Sequence, residues 1–241
     1  MRGKLYLQQR VLDESKPVKS KEDQVMDIAI IGAGNVGNAL AAAFVRGGHT
    51  VSIASRDPED AGTVAAATGA RAAMTPVEVA RSADVVVLAT PFSSAPDIAA
   101  EIREAVAGRI VVDVSNRMSF GSDGPAIDTT SSNAEELAEL LPTARVVKAF
   151  NTLFASNQDD PIVQDVQLDG YVAADDDEAR ATILELVGSI GLDPVDVGPL
   201  ARARQLEGLA FLNIALNVAH DGTWQSGWKL VGAPATLPVA A

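Results

Sequence analysis

The residues best placed for chemistry lie in one short stretch, Ile30-Ile31-Gly32-Ala33-Gly34-Asn35-Val36-Gly37. An apolar run beginning at Asp27 meets Gly-x-Gly-x-x-Gly and continues into an alanine-rich segment. Each glycine has a separate task. Gly32 permits a tight turn after a strand, Gly34 leaves no side chain in the way of a pyrophosphate, and Gly37 lets the following helix pack close to the sheet. The helix N-terminus then turns its free N–H groups toward the phosphates, so Asn35 and Val36 join the expected cradle. Val36, Leu40, Ala43 and Phe44 recur at helical spacing and Gly47-Gly48 end the run, which is the strand–turn–helix context that a dinucleotide site requires.

The residue that reads the adenosine ribose is expected about 20 positions further on, at the end of the second strand. That strand is Thr50-Val51-Ser52-Ile53-Ala54, and it ends in Ser55-Arg56. A carboxylate there would accept bonds from a ribose 2′-hydroxyl and repel a 2′-phosphate. A hydroxyl and a guanidinium bind the phosphate instead, so the cofactor expected is NADP(H) rather than NAD(H). Asp57-Pro58 reads as a helix cap followed by proline at the first helical position.

These residues need a scaffold, and the pattern supplies an α/β, Rossmann-type doubly wound parallel sheet with a smaller C-terminal α/β to helical portion. Thr75-Pro76-Val77-Glu78 is a capping box, and Asp84–Thr90 is a buried strand. A helix is expected over 94–107, a fifth strand over Arg109–Val114 and a long polar loop over 115–132. A helix then covers 133–141 and a sixth strand Arg145–Phe150, with later strands at 170–174 and 193–197 and a long helix carrying Leu206, Leu209, Ala210, Asn213, Leu216 and Asn217. Trp224 and Trp228 are placed on one helical face. The acidic run Asp175–Glu178 reads as a helix N-terminus, where the dipole favours acids. Three segments are expected: an N-terminal extension over 1–25, a dinucleotide-binding domain over 26–160, and a substrate and dimerisation portion over 161–241.

Ligands of such sheets bind beyond the carboxyl ends of the strands. The loops expected there are Thr90-Pro91-Phe92, Ser115-Asn116-Arg117, Asn151-Thr152-Leu153 after the strand end Ala149-Phe150, and Gly198-Pro199-Leu200. The first would lie over the adenosine, and those after Val114 and Phe150 nearer the nicotinamide.

Composition narrows the partners. The 241 residues carry 47% hydrophobic content, a net charge of −13 and no cysteine. That excludes a disulfide framework and thiolate chemistry, and argues against nucleic acid and anionic membranes. No run is long or apolar enough to span a membrane. A cytoplasmic protein acting on a small molecule is expected. The first 25 residues hold six Lys or Arg against four acids and read as a flexible tail or a short helix serving oligomer contacts. Met26 stands directly before the first strand.

Four stretches carry a family resemblance: 30–37, Ala54-Ser55-Arg56-Asp57, Val147-Lys148-Ala149-Phe150-Asn151-Thr152, and Pro194–Leu200, followed by Ala203-Arg204 and Leu206-Glu207. Over about residues 26 to 231 the chain resembles the NADPH-dependent coenzyme F-420 reductases. The resemblance implies a homodimer, a deazaflavin stacked on the nicotinamide, and direct hydride transfer without a protein acid or base. It also implies that Gly32 to Gly37 hold the pyrophosphate and Ser55 and Arg56 the 2′-phosphate. Ala149, Phe150 and Asn151 would frame the two rings together with Gly198, Pro199 and Leu200. Membrane ferric reductases with a related cytosolic domain imply that a flavin is an alternative acceptor.

The side-chain inventory agrees with that chemistry. Reduction of a ketone or imine needs a proton donor near the hydride acceptor. The usual donors are scarce: Tyr6, Tyr171, His49 and His220, with Lys148 or an Asp as substitutes. Hydride transfer between two ring cofactors needs mainly stacking and alignment. Reduction of a small imine or carbonyl compound is the enzymatic alternative, and an NADP(H) sensor without catalysis is the other.

Overall fold

The computed structural model describes residues 25–73, 75–121 and 124–232. The expected N-terminal extension therefore lies outside the described residues, apart from Val25. The chain alternates β1 (Asp27–Ile31), α1 (Asn35–Arg46), β2 (Thr50–Ala54), α2 (Pro58–Thr68), β3 (Arg71–Ala72), α3 (Pro76–Ser82), β4 (Val85–Leu88), α4 (Ala95–Ile102) and β5 (Ile110–Asp113). A hairpin follows, β6 (Met118–Gly121) and β7 (Gly124–Ile127), then α5 (Asn133–Leu140) and β8 (Arg145–Lys148). The last part holds α6 (Ala155–Asp159), β9 (Ile162–Val163), β10 (Val166–Gln167), β11 (Asp169–Ala174), α7 (Asp177–Ser189), β12 (Asp193–Gly198) and α8 (Ala203–Ala219).

Eight strands form one sheet in the order β12-β11-β8-β5-β4-β1-β2-β3. From β3 to β8 every pairing is parallel, which is the doubly wound order with its reversal between β1 and β4. β1, β4 and β5 are mainly apolar because helices cover both faces. One face packs Ile28, Ile30, Val85, Val87 and Val112 against Leu40 and Phe44 of α1. The other packs Ala29, Ile31, Val86, Leu88 and Val111 against α3, α4 and α5.

The helix boundaries follow the caps written in the sequence. Asp57 accepts the Glu59 amide at 2.9 Å ahead of Pro58, and Gly69 closes α2 in the left-handed region at φ 84°. Thr75 accepts the Glu78 amide at 3.2 Å and starts α3. The run Asp175–Glu178 resolves into local duties. Asp176 caps α7 by accepting the Ala179 amide, Asp175 accepts the Leu200 amide, and Asp177 pairs with Arg180.

Four expectations are corrected. The 115–132 loop contains the antiparallel β6–β7 hairpin, with Met118 opposite Ile127 and Gly121 opposite Gly124. The alternation Met118-Ser119-Phe120 and the Gly121-x-x-Gly124 spacing were the signal for it. The helix expected to reach Ala107 ends at Ile102 and continues as turns to Gly108. Trp224 and Trp228 do not share a helical face, because α8 stops at Ala219 and the backbone turns left-handed at Asp221 and Trp224. Asn213 and Asn217 hold that segment instead, by bonds to the backbone oxygen and hydroxyl of Ser226 and to the Trp224 amide. Finally, the sheet is mostly parallel but not wholly so. β11 lies antiparallel to β8, with Ala173 opposite Lys148 and Ala174 opposite Val147, and β12 runs parallel to β11. Strands buried on both faces read the same in either direction, so sequence patterning does not reveal such a reversal.

His49 closes the amino-terminal edge. Its Nδ1 accepts the Met26 amide at 3.3 Å and its Nε2 lies 2.9 Å from Ser189 Oγ, an arrangement that suits the neutral ring with the proton on Nε2. Burial lowers its pKa from 6.5. A base whose pKa is lower folded than unfolded stabilises the fold fully above the unfolded value, and that stability drains as pH falls below it. We therefore expect chemical-denaturation stability to decline from about pH 6.5 downward in the wild type, and this decline to be absent in His49→Gln.

Candidate functional site

The strand register gathers the expected residues onto one rim. Ile31 is level with Ala54 and with Leu88, Leu88 with Asp113, and Asp113 with Lys148. Gly32, Ser55, Ala89, Val114 and Ala149 therefore leave the sheet in a row. The Gly32 amide donates to Ala54 O at 2.8 Å, Ala89 N to Ile31 O at 2.9 Å and Ala149 N to Asp113 O at 3.3 Å. Five parallel strands spaced by about 4.8 Å give a rim of about 19 Å, suited to an extended dinucleotide.

A cavity of about 910 Å³ opens at one end of this rim. Of the expected residues it is lined by Gly32, Gly34, Ser55, Arg56, Thr90 and Pro91. Sequence reasoning missed Asp60, Pro76, Ser94, Ile98 and Glu101, which also line it. Asp60 was within reach as the next turn beyond the Asp57 cap, whereas Ile98 and Glu101 come from α4, whose orientation over the rim leaves no mark in the sequence. Arg56 is exposed and has no ion-pair partner among the described residues, so its guanidinium is uncommitted. Asp57 is spent on the α2 cap.

The three fingerprint glycines differ in what forbids a side chain. At Gly37 a Cβ would lie 1.9 Å from Gly32 O, and at Gly32, with φ 118°, it would lie 2.4 Å from Ala89 O. These two are required by the fold. At Gly34 a Cβ would meet nothing within 4 Å, and the backbone there is extended. The space in front of Gly34 is thus not claimed by the protein. α1 has no side-chain cap and no acid in its first turn, which leaves the amides of Asn35, Val36 and Gly37 for an anion. The open cradle, the uncapped amides and the free cation fit a phosphorylated dinucleotide. Asn35 is exposed at the first position of α1, Val36 packs on the core, and Phe92 opens a short 3-10 turn.

Beyond the cavity, the loops after β5 and β8 are joined to each other. Asn116 Nδ2 donates to Asn151 O at 3.2 Å, and Asn151 Nδ2 returns a bond to Asn116 Oδ1 at 2.8 Å. Asn151 Oδ1 is buried without a partner among the described residues. Phe150 sits between Ala149 and Asn151 with φ 61°, a left-handed conformation that costs energy for an aromatic residue and is found most often at functional sites. Its ring is in the core, edge-to-face with Phe44 at 5.6 Å, so only its backbone is available to a ligand.

Beneath these loops lies a buried ionic cluster. Lys148 Nζ donates to Asp113 Oδ2 and Glu207 Oε1, each at 2.7 Å, and to Ser115 O. Asp113 Oδ1 accepts from the Ser115 amide and hydroxyl and from Asn133 Nδ2, while Glu207 accepts from the Asn133 and Arg117 amides. All three charged side chains are at most 1% exposed. An ammonium has three protons, and all three are taken, so Lys148 has none to deliver to a substrate. Ser115, expected to face the cofactor, has its hydroxyl committed to this cluster. Tyr171 donates to Asp169, and burial first, then this bond, raise its pKa.

β12 runs against β8, so its carboxyl end points the opposite way, but the register sets Gly198 opposite Ala173 and hence level with Lys148, while Leu200 is buried in the same core cluster as Ala203 and Ala134. The glycines give a direct test of the cradle. Gly34→Ala is expected to leave unfolding free energy within about 0.5 kcal/mol of wild type while weakening NADP(H) binding. Gly37→Ala should lose about 1–3 kcal/mol of stability through overpacking. Denaturant melts and cofactor titration of both variants measure this.

Comparison with known proteins agrees with this geometry. A family model described as NADP oxidoreductase, coenzyme F420-dependent, matches residues 27–117. An F420-dependent NADP reductase of Methanothermobacter thermautotrophicus is 33% identical over 212 residues, covering 81% of this chain and 91% of that protein. A solved structure from Arthrobacter sp. FB24, assigned as an F420-dependent NADP-reductase, superposes with a TM-score of 0.75 at 31% identity, covering 82% of this chain and 96% of that one. Metalloreductase STEAP3 of Rattus norvegicus is 30% identical over 86% of this chain, which spans only 41% of that protein's length. The chain belongs to the F420-dependent NADP reductase family.

Proposed function

We propose that the protein transfers hydride between NADP(H) and a deazaflavin, coenzyme F-420, or a flavin-like acceptor. The observation that carries this reading is the chemistry of the nicotinamide end of the rim. Asn116 and Asn151 occupy it with amide groups, while the one amine there, Lys148, is locked by three acceptors. His49 is at the opposite edge of the sheet and Tyr171 is held by Asp169. A carbonyl or imine acceptor would need a proton from such a group. A second ring needs none, because the nicotinamide supplies the hydride and the protein has only to hold two planes in contact.

In this reading the amides of Asn35, Val36 and Gly37 hold the pyrophosphate, and Gly34 leaves room for it. Ser55 and Arg56 hold the 2′-phosphate, and Thr90-Pro91-Phe92 covers the adenosine. The backbone of Ala149 to Asn151, with Asn116, frames the nicotinamide. The reading also includes a homodimer. The outward side of α8 exposes Leu212 and Leu216, each nearly half accessible, while its inward side spends Glu207, Asn213 and Asn217 on internal bonds. A face of that kind is suited to a second copy of the same helix. The reading takes the reaction to be cytoplasmic, in keeping with two soluble anionic reactants.

Mixing the protein with NADPH and coenzyme F-420, then with FMN, is expected to bleach one acceptor's absorbance. Tight NADPH binding with no turnover of either acceptor would favour an NADP(H) sensor or another substrate. The double variant Ser55→Ala/Arg56→Gln should bind NADPH about 10- to 100-fold more weakly, as expected for the loss of charge-assisted bonds, with NADH affinity almost unchanged. Equal losses for both cofactors would contradict the 2′-phosphate assignment.

A further inference from the structure

The Lys148 cluster has a peculiar distribution of partners. Ser115 N, Ser115 O and Arg117 N are all bound by buried side chains: Asp113, Lys148 and Glu207 respectively. The loop is therefore gripped on both sides of Asn116, and by side chains rather than by a strand partner. Asn116 is the residue left free to reach across, and it exchanges two hydrogen bonds with Asn151. The clamp thus runs from α8 and β5 through Lys148 to the loop after β5, and from there to the loop after β8. Buried ion pairs are a poor route to stability, since apolar residues of the same volume often do as well, so a role in fixing one conformation is the better account of such a cluster.

We propose that Lys148 is a positioning residue for hydride transfer: its ammonium sets the 114–117 loop, and through the Asn116–Asn151 pair the 149–151 loop, in the arrangement that seats the nicotinamide ring. The proposal rests on the reading that the nicotinamide lies over these two loops. Lys148 acts only through Ser115 and Asn116 and touches no reacting atom. The adenosine end, built from the β1–α1 turn and the end of β2, shares no hydrogen bond with the cluster among the described residues, so the two halves of the site separate energetically.

The test is the double variant Lys148→Met/Glu207→Gln. Removing one cation and one anion keeps the buried net charge at that of Asp113 alone, so the field at the site is preserved while the clamp is lost. In the variant, with folding checked by circular dichroism, amide hydrogen exchange at 114–118 and 149–152 should accelerate tenfold or more. The dissociation constant for NADPH should rise tenfold or more, while that for 2′,5′-ADP, which lacks the nicotinamide half, stays within twofold. Glu207→Gln alone, which keeps the Lys148 contacts to Asp113 and Ser115, should show the same pattern to a smaller degree and serves if the double variant does not fold. Unchanged exchange, or equal weakening of both ligands, would overturn the proposal. Equal affinity of the wild type for NADPH and 2′,5′-ADP would instead remove the nicotinamide reading, with the exchange result still judging the clamp.

Discussion

The constraint on which the rest of the site depends is the close approach of α1 to the end of β1 and β4. Gly37 lies so near Gly32 O that no side chain fits between them, and Gly32 itself is pressed against Ala89. This contact pulls the first turn of α1 down onto the rim, so its free amides face the space above the strands instead of solvent at large. It also fixes the exit of β4, so the Thr90-Pro91 loop starts level with the glycine turn. A helix standing off by one more methyl group would leave the same sequence with the same elements and no cradle.

From that fixed corner the parallel register carries the site outward. Each strand ends level with its neighbour from β2 to β8, and a residue's position in the motif becomes a position along the rim. The row ends where β11 reverses direction, and the chain beyond it has a different task. β11 and β12 extend the sheet, and α8 returns to place Glu207 under the rim. The end of the rim proposed for the nicotinamide is thus supported from below by charges, whereas the end proposed for the adenosine is shaped by backbone and a single exposed arginine. This division matches chemistry in which one half of a cofactor is gripped and the other must be aligned.

Local features were legible in the sequence because their causes are local. The glycine turn, the Asp57-Pro58 and Thr75-Pro76 starts and the Gly69 stop each follow from the conformational needs of a few adjacent residues. The Ser55-Arg56 pair could be placed because a parallel βαβ unit fixes where its second strand ends. The reversal of β11 was not legible, since a strand buried on both faces has no pattern that distinguishes up from down. The same reversal brings the chain after Gly198 to the rim from the opposite direction. The buried cluster was invisible for a related reason: Asp113, Lys148 and Glu207 are far apart in sequence, and each reads singly as an ordinary surface charge. In α8 the periodicity found the inward face, where Leu206, Ala210, Asn213 and Asn217 are buried, but it also took in Leu216, which is exposed beside Leu212.

The account's central claim is that one phosphorylated dinucleotide spans this rim from Ser55-Arg56 to Asn116 and Asn151. A crystal structure of the protein with NADP+ tests it most directly. The account predicts the 2′-phosphate against Ser55 and Arg56, the pyrophosphate over the amides of Asn35 to Gly37, and the nicotinamide ring above the loops after β5 and β8. A dinucleotide whose 2′-phosphate points away from Arg56, or whose nicotinamide lies off those loops, would contradict it.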